Sequence, residues 1–353
     1  MEFLDFSSLS PGSNLLVLAA GSVVVWLAGT KLSVYAEAIA VRTGLGRAFV
    51  GALLLGGATS LPELATTLTA SSLGNAALAV GNLFGGLPMQ IAILAVIDFA
   101  VVRGALTFFS PSPVLLLGGV LLVLQTGLAL AMIAAGELLW LGHVGLWPLV
   151  LFAVYVISLV FMQRFESRES WIPAELPEVL EPVRGEADGD EASAERGSAR
   201  RLAALFALHS LLVLAGGWAV SYSADAFALQ TGIGSGFVGA TLVSLATSLP
   251  ELSTTIGAVR VGAYTMAIAN IFGTNSLRVA LLLPADLAYR QGRIIDSVDQ
   301  AAVFLGALGI VVTCLYLWGL LERRNRTVLR MGVDSALVLL VYAGGLVVLY
   351  LIS

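Results

Sequence analysis

The chain has 353 residues, of which 58% are hydrophobic and only 12% charged, with a mean hydropathy of +0.94. A soluble domain carries about 25% charged residues, so there is too little charge here to cover a water-facing surface. Apolar runs that repeatedly reach the ~20 residues of a bilayer span exclude a large soluble helical protein, and the single cysteine, Cys314, excludes an intramolecular disulfide or a multi-cysteine metal site.

The opening segment, MEFLDFSSLSPGSN, has no basic stretch ahead of its apolar run. No cleaved signal peptide is expected, and the first apolar run is itself a membrane helix. Ten spans are predicted, at roughly 14–41, 46–71, 76–101, 111–133, 144–163, 202–229, 235–259, 262–288, 300–321 and 330–352. Short connections such as Ser72–Asn75 make neighbouring spans antiparallel. Between spans five and six, Arg164–Arg201 holds ten acids and six arginines with Pro and Gly. That composition predicts a mostly disordered cytoplasmic linker, too short for a typical domain. The expected organisation is a five-helix half over 1–163, the linker over 164–201 and a second five-helix half over 202–353.

Charge placement tests the count of ten. With the N-terminus outside, the inner segments hold Arg42, Arg47, Arg103, Arg260, Arg323, Arg324, Arg326, Arg330 and the six linker arginines, against only Arg290 and Arg293 outside. Basic residues mark the cytoplasmic side. Both termini are therefore expected outside, with the linker in the cytoplasm.

The chain is also duplicated. A shift of 188 residues aligns Thr43–Leu64 with Thr231–Leu252 without a gap, 15 of 22 positions being identical. The register continues through Gly74 and Gly262, Asn82 and Asn270, Phe84 and Phe272, and Asp98 and Asp286. Five spans per half is an odd number, so the second half must lie upside down relative to the first. The predicted fold class is thus an all-α membrane protein of ten transmembrane helices in two inverted five-helix repeats. Secondary transporters use this arrangement, with the substrate site at the midplane where the repeats meet.

Each repeat carries ATSLPEL. Pro62 and Pro250 lie inside apolar helices, where proline removes a backbone donor and clashes with the preceding turn, so both helices should kink or break there. Carbonyls freed in a membrane are tolerated where they line a polar cavity. Thr59 and Glu63 are four residues apart, as are Thr247 and Glu251, so each pair shares a helix face. With Ser60 and Ser248 these are oxygen ligands suited to a hard cation such as Na⁺ or Ca²⁺. A lone glutamate could snorkel to an interface, whereas a duplicated intramembrane pair is a functional candidate. The next helix in each repeat adds a polar stripe: Asn82, Gly86 and Gln90 in the first, Asn270, Thr274 and Arg278 in the second. The asparagines could instead bond helix to helix, and flanking glycines such as Gly81 and Gly85 permit close approach. Asp98 and Asp286, near helix ends, read as structural. Lys31, Glu37 and Asp225 are weaker candidates, and His143 and His209 are not spaced as metal ligands.

Residues 57–90, GATSLPELATTLTASSLGNAALAVGNLFGGLPMQ, and 245–278, LATSLPELSTTIGAVRVGAYTMAIANIFGTNSLR, together resemble the two alpha-repeats of the cation/calcium exchanger superfamily. Here those repeats run over about 43–101 and 231–289. The resemblance implies a secondary-active antiporter, not an enzyme, which moves Ca²⁺ or a related cation against Na⁺ or H⁺ by alternating access. It implies Glu63 and Glu251 as the acidic metal ligands. Thr59, Ser60, Thr247, Ser248, Asn82, Asn270 and Thr274 would supply the further oxygens. The implied partners are the lipid bilayer and small inorganic cations, with no cofactor beyond the transported ion and no nucleic acid.

The chain departs from the family pattern where the second motif places its serine, now Gly86 and Thr274, and four residues beyond, now Gln90 and Arg278. An arginine cannot ligate a cation and stays charged. Two glutamates and one arginine leave a net charge of −1, which opposes a divalent ion. Arg278 is expected to act as a tethered cation beside Glu63 and Glu251, altering ion choice. The alternative is that it points away and pairs elsewhere. Two other readings stay open: a proton-coupled or monovalent-cation exchanger that no longer handles Ca²⁺, and a non-transporting membrane sensor or structural relative.

Overall fold

A computed structural model of the chain describes residues 6–43, 56–102, 104–110, 112–166, 199–260 and 262–352. Eight of the described helices are long and apolar enough to cross a membrane: Pro11–Lys31 within Pro11–Thr43, Ala76–Ala100, Pro113–Ala135, Leu146–Phe165, Ala203–Thr231, Tyr264–Ala288, Gln300–Glu322 and Val333–Ile352. A ninth candidate is the pair Ser235–Thr247 and Leu249–Arg260, bent by 43° at the break between them. The expected second span lies partly outside the described residues. Its described part is the short helix Gly56–Thr59 followed by Leu61–Ser72.

Proline explains the shared break. Ser60 and Ser248, each one residue before Leu-Pro, have nearly the same backbone angles, φ −82°, ψ 3° and φ −85°, ψ 1°. Each proline then falls in the first turn of the following half-helix, where its missing N–H would have no intrahelical partner anyway. Thr66 donates to the carbonyls of Pro62 and Glu63 at 2.9 and 3.1 Å, and its repeat mate Thr254 donates to those of Pro250 and Glu251 at 3.0 and 3.1 Å.

Burial sorts the helices. Ala76–Ala100 and Tyr264–Ala288 have 83% and 78% of their most apolar window buried, against 22% for Ala203–Thr231 and Val333–Ile352. The first two are central, and the outer helices turn side chains such as Leu211 and Leu340 outward, as lipid permits. Asn75 caps the first central helix, accepting from Leu78 N at 2.9 Å while its amide donates to Asp225 at 2.6 Å. The central helices meet where Asn275 donates to the carbonyl of Leu87 at 3.1 Å. Methyl groups added at Gly81 or Gly85 would strike the backbone of Gly236 or Ala240, so the expected close approach of these glycines is to the segment that leads into the second kink.

Two small hairpins were not foreseen. Trp140–Leu141 pairs with Val144–Gly145, and Thr327–Val328 pairs with Met331–Gly332. Aspartates fix them across the two halves. Asp286 accepts from Gly145 N and Ile294 N, both at 2.7 Å. Asp98 accepts from Gly332 N at 2.8 Å and Leu106 N at 2.9 Å. The structural role expected of these two residues has this form. Helices also extend into the ends of the acidic linker, through Glu166 and from Ala199. The remainder of the linker, and the side chain of Glu37, lie outside the described residues.

Candidate functional site

The two kinked segments and the two central helices converge on one buried polar cluster. Thr59, Ser60, Glu63, Asn82, Gln90, Thr247, Ser248, Glu251, Asn270, Thr274 and Arg278 are all 2% exposed or less. Five come from the first repeat and six from the second. They are held in apolar walls, where burying a polar group without a partner is costly.

Arg278 lies at the centre, and it does not point away. Its Nη2 forms an ion pair with Glu63 Oε1 and also donates to Ser248 Oγ at 2.9 Å. Its Nη1 donates to the backbone carbonyl of Asn82 at 3.1 Å. The guanidinium thus binds a side chain of the first kink, a side chain of the second kink and the backbone of the first central helix. A Cβ at Gly86 would fall on the guanidinium, so glycine at that position opens the room it occupies.

The hydroxyls cross over between repeats. Thr247 is a side-chain neighbour of Glu63, and Thr59 of Glu251. Thr247 Oγ1 also donates to Asn82 Oδ1 at 3.4 Å. Asn82 in turn donates to Thr66 Oγ1 at 2.9 Å, and Asn270 donates to Thr254 Oγ1 at 3.3 Å. Thr66 and Thr254 therefore orient the asparagines while tying back the proline turns. They were missed as site residues, although their identity under the 188-residue shift was a usable signal.

The symmetry of the motifs does not extend to their bonding. Among the described residues, both carboxylate oxygens of Glu251 lack a hydrogen-bond partner, whereas only one oxygen of Glu63 does. Asn270 Oδ1, Thr274 Oγ1 and both amide atoms of Gln90 are likewise buried without partners. The arginine engages the first glutamate, whereas the second glutamate, with Asn270 and Thr274 of its own repeat and Gln90 of the other, keeps polar atoms unbonded. Glu251 is also close enough to Glu63 and Arg278 to feel both charges. Among the described residues no three His, Cys, Asp or Glu side chains come together to hold a metal. A cation between the two glutamates would need hydroxyl, amide and carbonyl oxygens to complete its shell.

Comparison with known proteins follows the same halves. The chain matches the family described as sodium/calcium exchanger protein over residues 13–163 and 201–352. It is 26% identical over 310 residues to the inner membrane protein YrbG of Escherichia coli (strain K12), covering 84% of this chain and 87% of that one. Among solved structures it is similar to the sodium-calcium exchanger NCX_Mj soaked with 2.5 mM Na⁺ and 0.1 mM Sr²⁺, with a TM-score of 0.62 at 18% identity over 95% of this chain and 98% of that one. It is similar also to the H⁺/Ca²⁺ exchanger CAX, with a TM-score of 0.69 at 16% identity over 96% and 85% of the respective chains. At such identities the structural likeness establishes the fold.

Proposed function

The chain belongs to the sodium/calcium exchanger protein family, and from that membership we propose that it is a secondary-active cation antiporter working by alternating access around Glu63 and Glu251. The coarse part of this reading, an integral multi-pass membrane protein of the cation-exchange class, follows from the family match and the apolar helices. The finer part rests on one observation: two buried carboxylates on equivalent kinked helices face a shared polar cluster at the crossing of the central helices.

In this reading the chain is two inverted five-helix repeats, with both termini outside and the linker in the cytoplasm. The contact between Asn275 and Leu87, repeat mates 188 positions apart, supports a pseudo-twofold axis through the site. Thr59, Ser60, Thr247, Ser248, Asn82, Asn270 and Thr274 complete the ion's surroundings, and Gln90 and Arg278 modify them. Rocking of the outer helices about this crossing would expose the cluster to each side in turn.

The two solved neighbours exchange Ca²⁺ for different driving ions, sodium in one name and the proton in the other. The Arg278–Glu63 pair favours a reading in which this chain no longer handles Ca²⁺ and exchanges protons or monovalent cations. Flux in proteoliposomes tests the proposal. Purified protein should take up radioactive cation in exchange for Na⁺ or H⁺ leaving down an imposed outward gradient, and Glu251→Gln should abolish it. A correctly inserted protein that moves no cation under either gradient would overturn it in favour of a sensor locked by the Arg278–Glu63 pair.

A further inference from the structure

We propose, resting on the antiport reading above, that Arg278 is a resident cation seated by Gly86, and that the mobile species is one monovalent charge at a time, Na⁺ or H⁺, held at Glu251. The first support is steric. Gly86 lies inside the helix Ala76–Ala100, where glycine is a poor choice for the backbone. The structure supplies the reason, since any side chain at 86 would displace the guanidinium of Arg278. The two departures from the repeat pattern are therefore one device: an arginine at 278 requires the absence of a side chain at 86.

The second support is the charge count. Arg278 stays protonated, is fully buried and is paired with Glu63. Its remaining bonds to Ser248 and to the carbonyl of Asn82 hold it against both repeats. Glu63 is thereby neutralised without a transported ion. One carboxylate is left, Glu251, buried and with neither oxygen hydrogen-bonded among the described residues. A buried, unpaired carboxylate takes up a proton or a cation. A monovalent charge brings the cluster to neutrality, whereas a divalent ion would leave it positive in an apolar wall. Each passage then carries one positive charge, so exchange of one such ion for another is electroneutral.

The test uses full-length protein in two formats. In proteoliposomes, wild type should take up radioactive Na⁺ driven by an outward proton gradient, with internal alkalinisation read by a pH dye. The rate should not change under an imposed membrane potential, and radioactive Ca²⁺ should neither enter nor compete. Proton movement without Na⁺ would assign the site to H⁺ and another monovalent ion, within the proposal. In detergent, thermal stabilisation reads ion binding without transport. Wild type should be stabilised by Na⁺ and not by Ca²⁺. Arg278→Ala should gain apparent Ca²⁺ affinity by roughly 10⁴-fold, the size expected from removing a unit charge about 6 Å from a divalent ion at an effective dielectric near 20, and Gly86→Ser combined with Arg278→Asp, used should the alanine variant fold poorly, should gain at least as much. Gly86→Ser alone should lose Na⁺ uptake, because it displaces the guanidinium. Ca²⁺ uptake by wild type at a rate unchanged by Arg278→Ala would overturn the resident cation and leave antiport standing. Voltage-dependent exchange would overturn the single-charge step. A Ca²⁺ shift gained by the Arg278 variants with no flux of any ion in wild type would sink the antiport reading and keep the resident cation.

Discussion

Asn275 donates a hydrogen bond to the backbone carbonyl of Leu87, the residue that holds its own place in the first repeat. The two central helices therefore cross at equivalent positions, and the bond is made once where a symmetric pair would make it twice. Asn275 is fully buried, and its Oδ1 has no partner among the described residues. Asn275→Leu, which makes the two repeats alike here, is predicted to lower stability by about 1 kcal/mol, the net contribution of the bond it removes, since the Leu87 carbonyl keeps its partner within the helix. Thermal unfolding in detergent would read this, and an unchanged midpoint would mean that the helices do not meet there.

The Arg278–Glu63 pair is predicted to be far costlier to break than to replace. Arg278→Ala leaves a buried carboxylate without its counter-charge, and Glu63→Ala leaves a buried guanidinium. Each should destabilise by ~3–5 kcal/mol. Removing both residues to Leu and Met should cost much less, giving a strongly non-additive double-mutant cycle. Additive losses would show that the two side chains act independently.

Asp98 and Asp286 are predicted to matter for stability and little for ion choice. Each accepts two backbone N–H bonds, and in each set one donor is the hairpin glycine of the other half. Asp286→Ala should expose the amides of Gly145 and Ile294 to fast hydrogen exchange. Asp98→Ala should do the same for Leu106 and Gly332. Charge-assisted bonds of this kind contribute about 1.5–3 kcal/mol each. Unchanged exchange at the partner amides would refute the cross-tie.

These residues also show what a sequence can and cannot disclose. The kinks at Ser60 and Ser248 were legible because proline acts within its own turn. The ends of the fully described spans lie within three residues of where hydropathy puts them, since bilayer thickness sets the length. The duplicated aspartates were legible as structural from their place near helix ends. The hairpins were not, because two-residue strands carry no periodicity and depend on the aspartates that hold them. At the site, Arg278 was expected to face the glutamates from its place on the stripe with Asn270, although an arginine there could also have turned away. What decides it is the empty space over Gly86, a property of two helices together. Thr66 and Thr254 were passed over because a threonine inside a helix usually bonds its own preceding turn, which both also do.

The last prediction follows from the uneven bonding of the two asparagines. Asn82 is spent within the protein: its amide donates to Thr66, its Oδ1 accepts from Thr247, and its carbonyl accepts from Arg278. Asn270 donates to Thr254 at a longer 3.3 Å and keeps Oδ1 open, in the repeat whose glutamate, Glu251, is also open. An acceptor already engaged offers little to an ion, whereas an open one can join its shell. Asn82→Ala should therefore lower stability by about 1–3 kcal/mol, through the donor and acceptor groups it strands, and change the apparent ion affinity only slightly. Asn270→Ala should do the reverse, raising the half-saturating concentration of the transported cation about tenfold with a near-normal unfolding midpoint, the loss of one good oxygen ligand being on the order of 1.4 kcal/mol. Comparison of thermal midpoints with concentration-dependent uptake for the two variants separates these effects. Equal effects on both measures would mean that the repeats share the ion evenly and that the arginine does not divide the site.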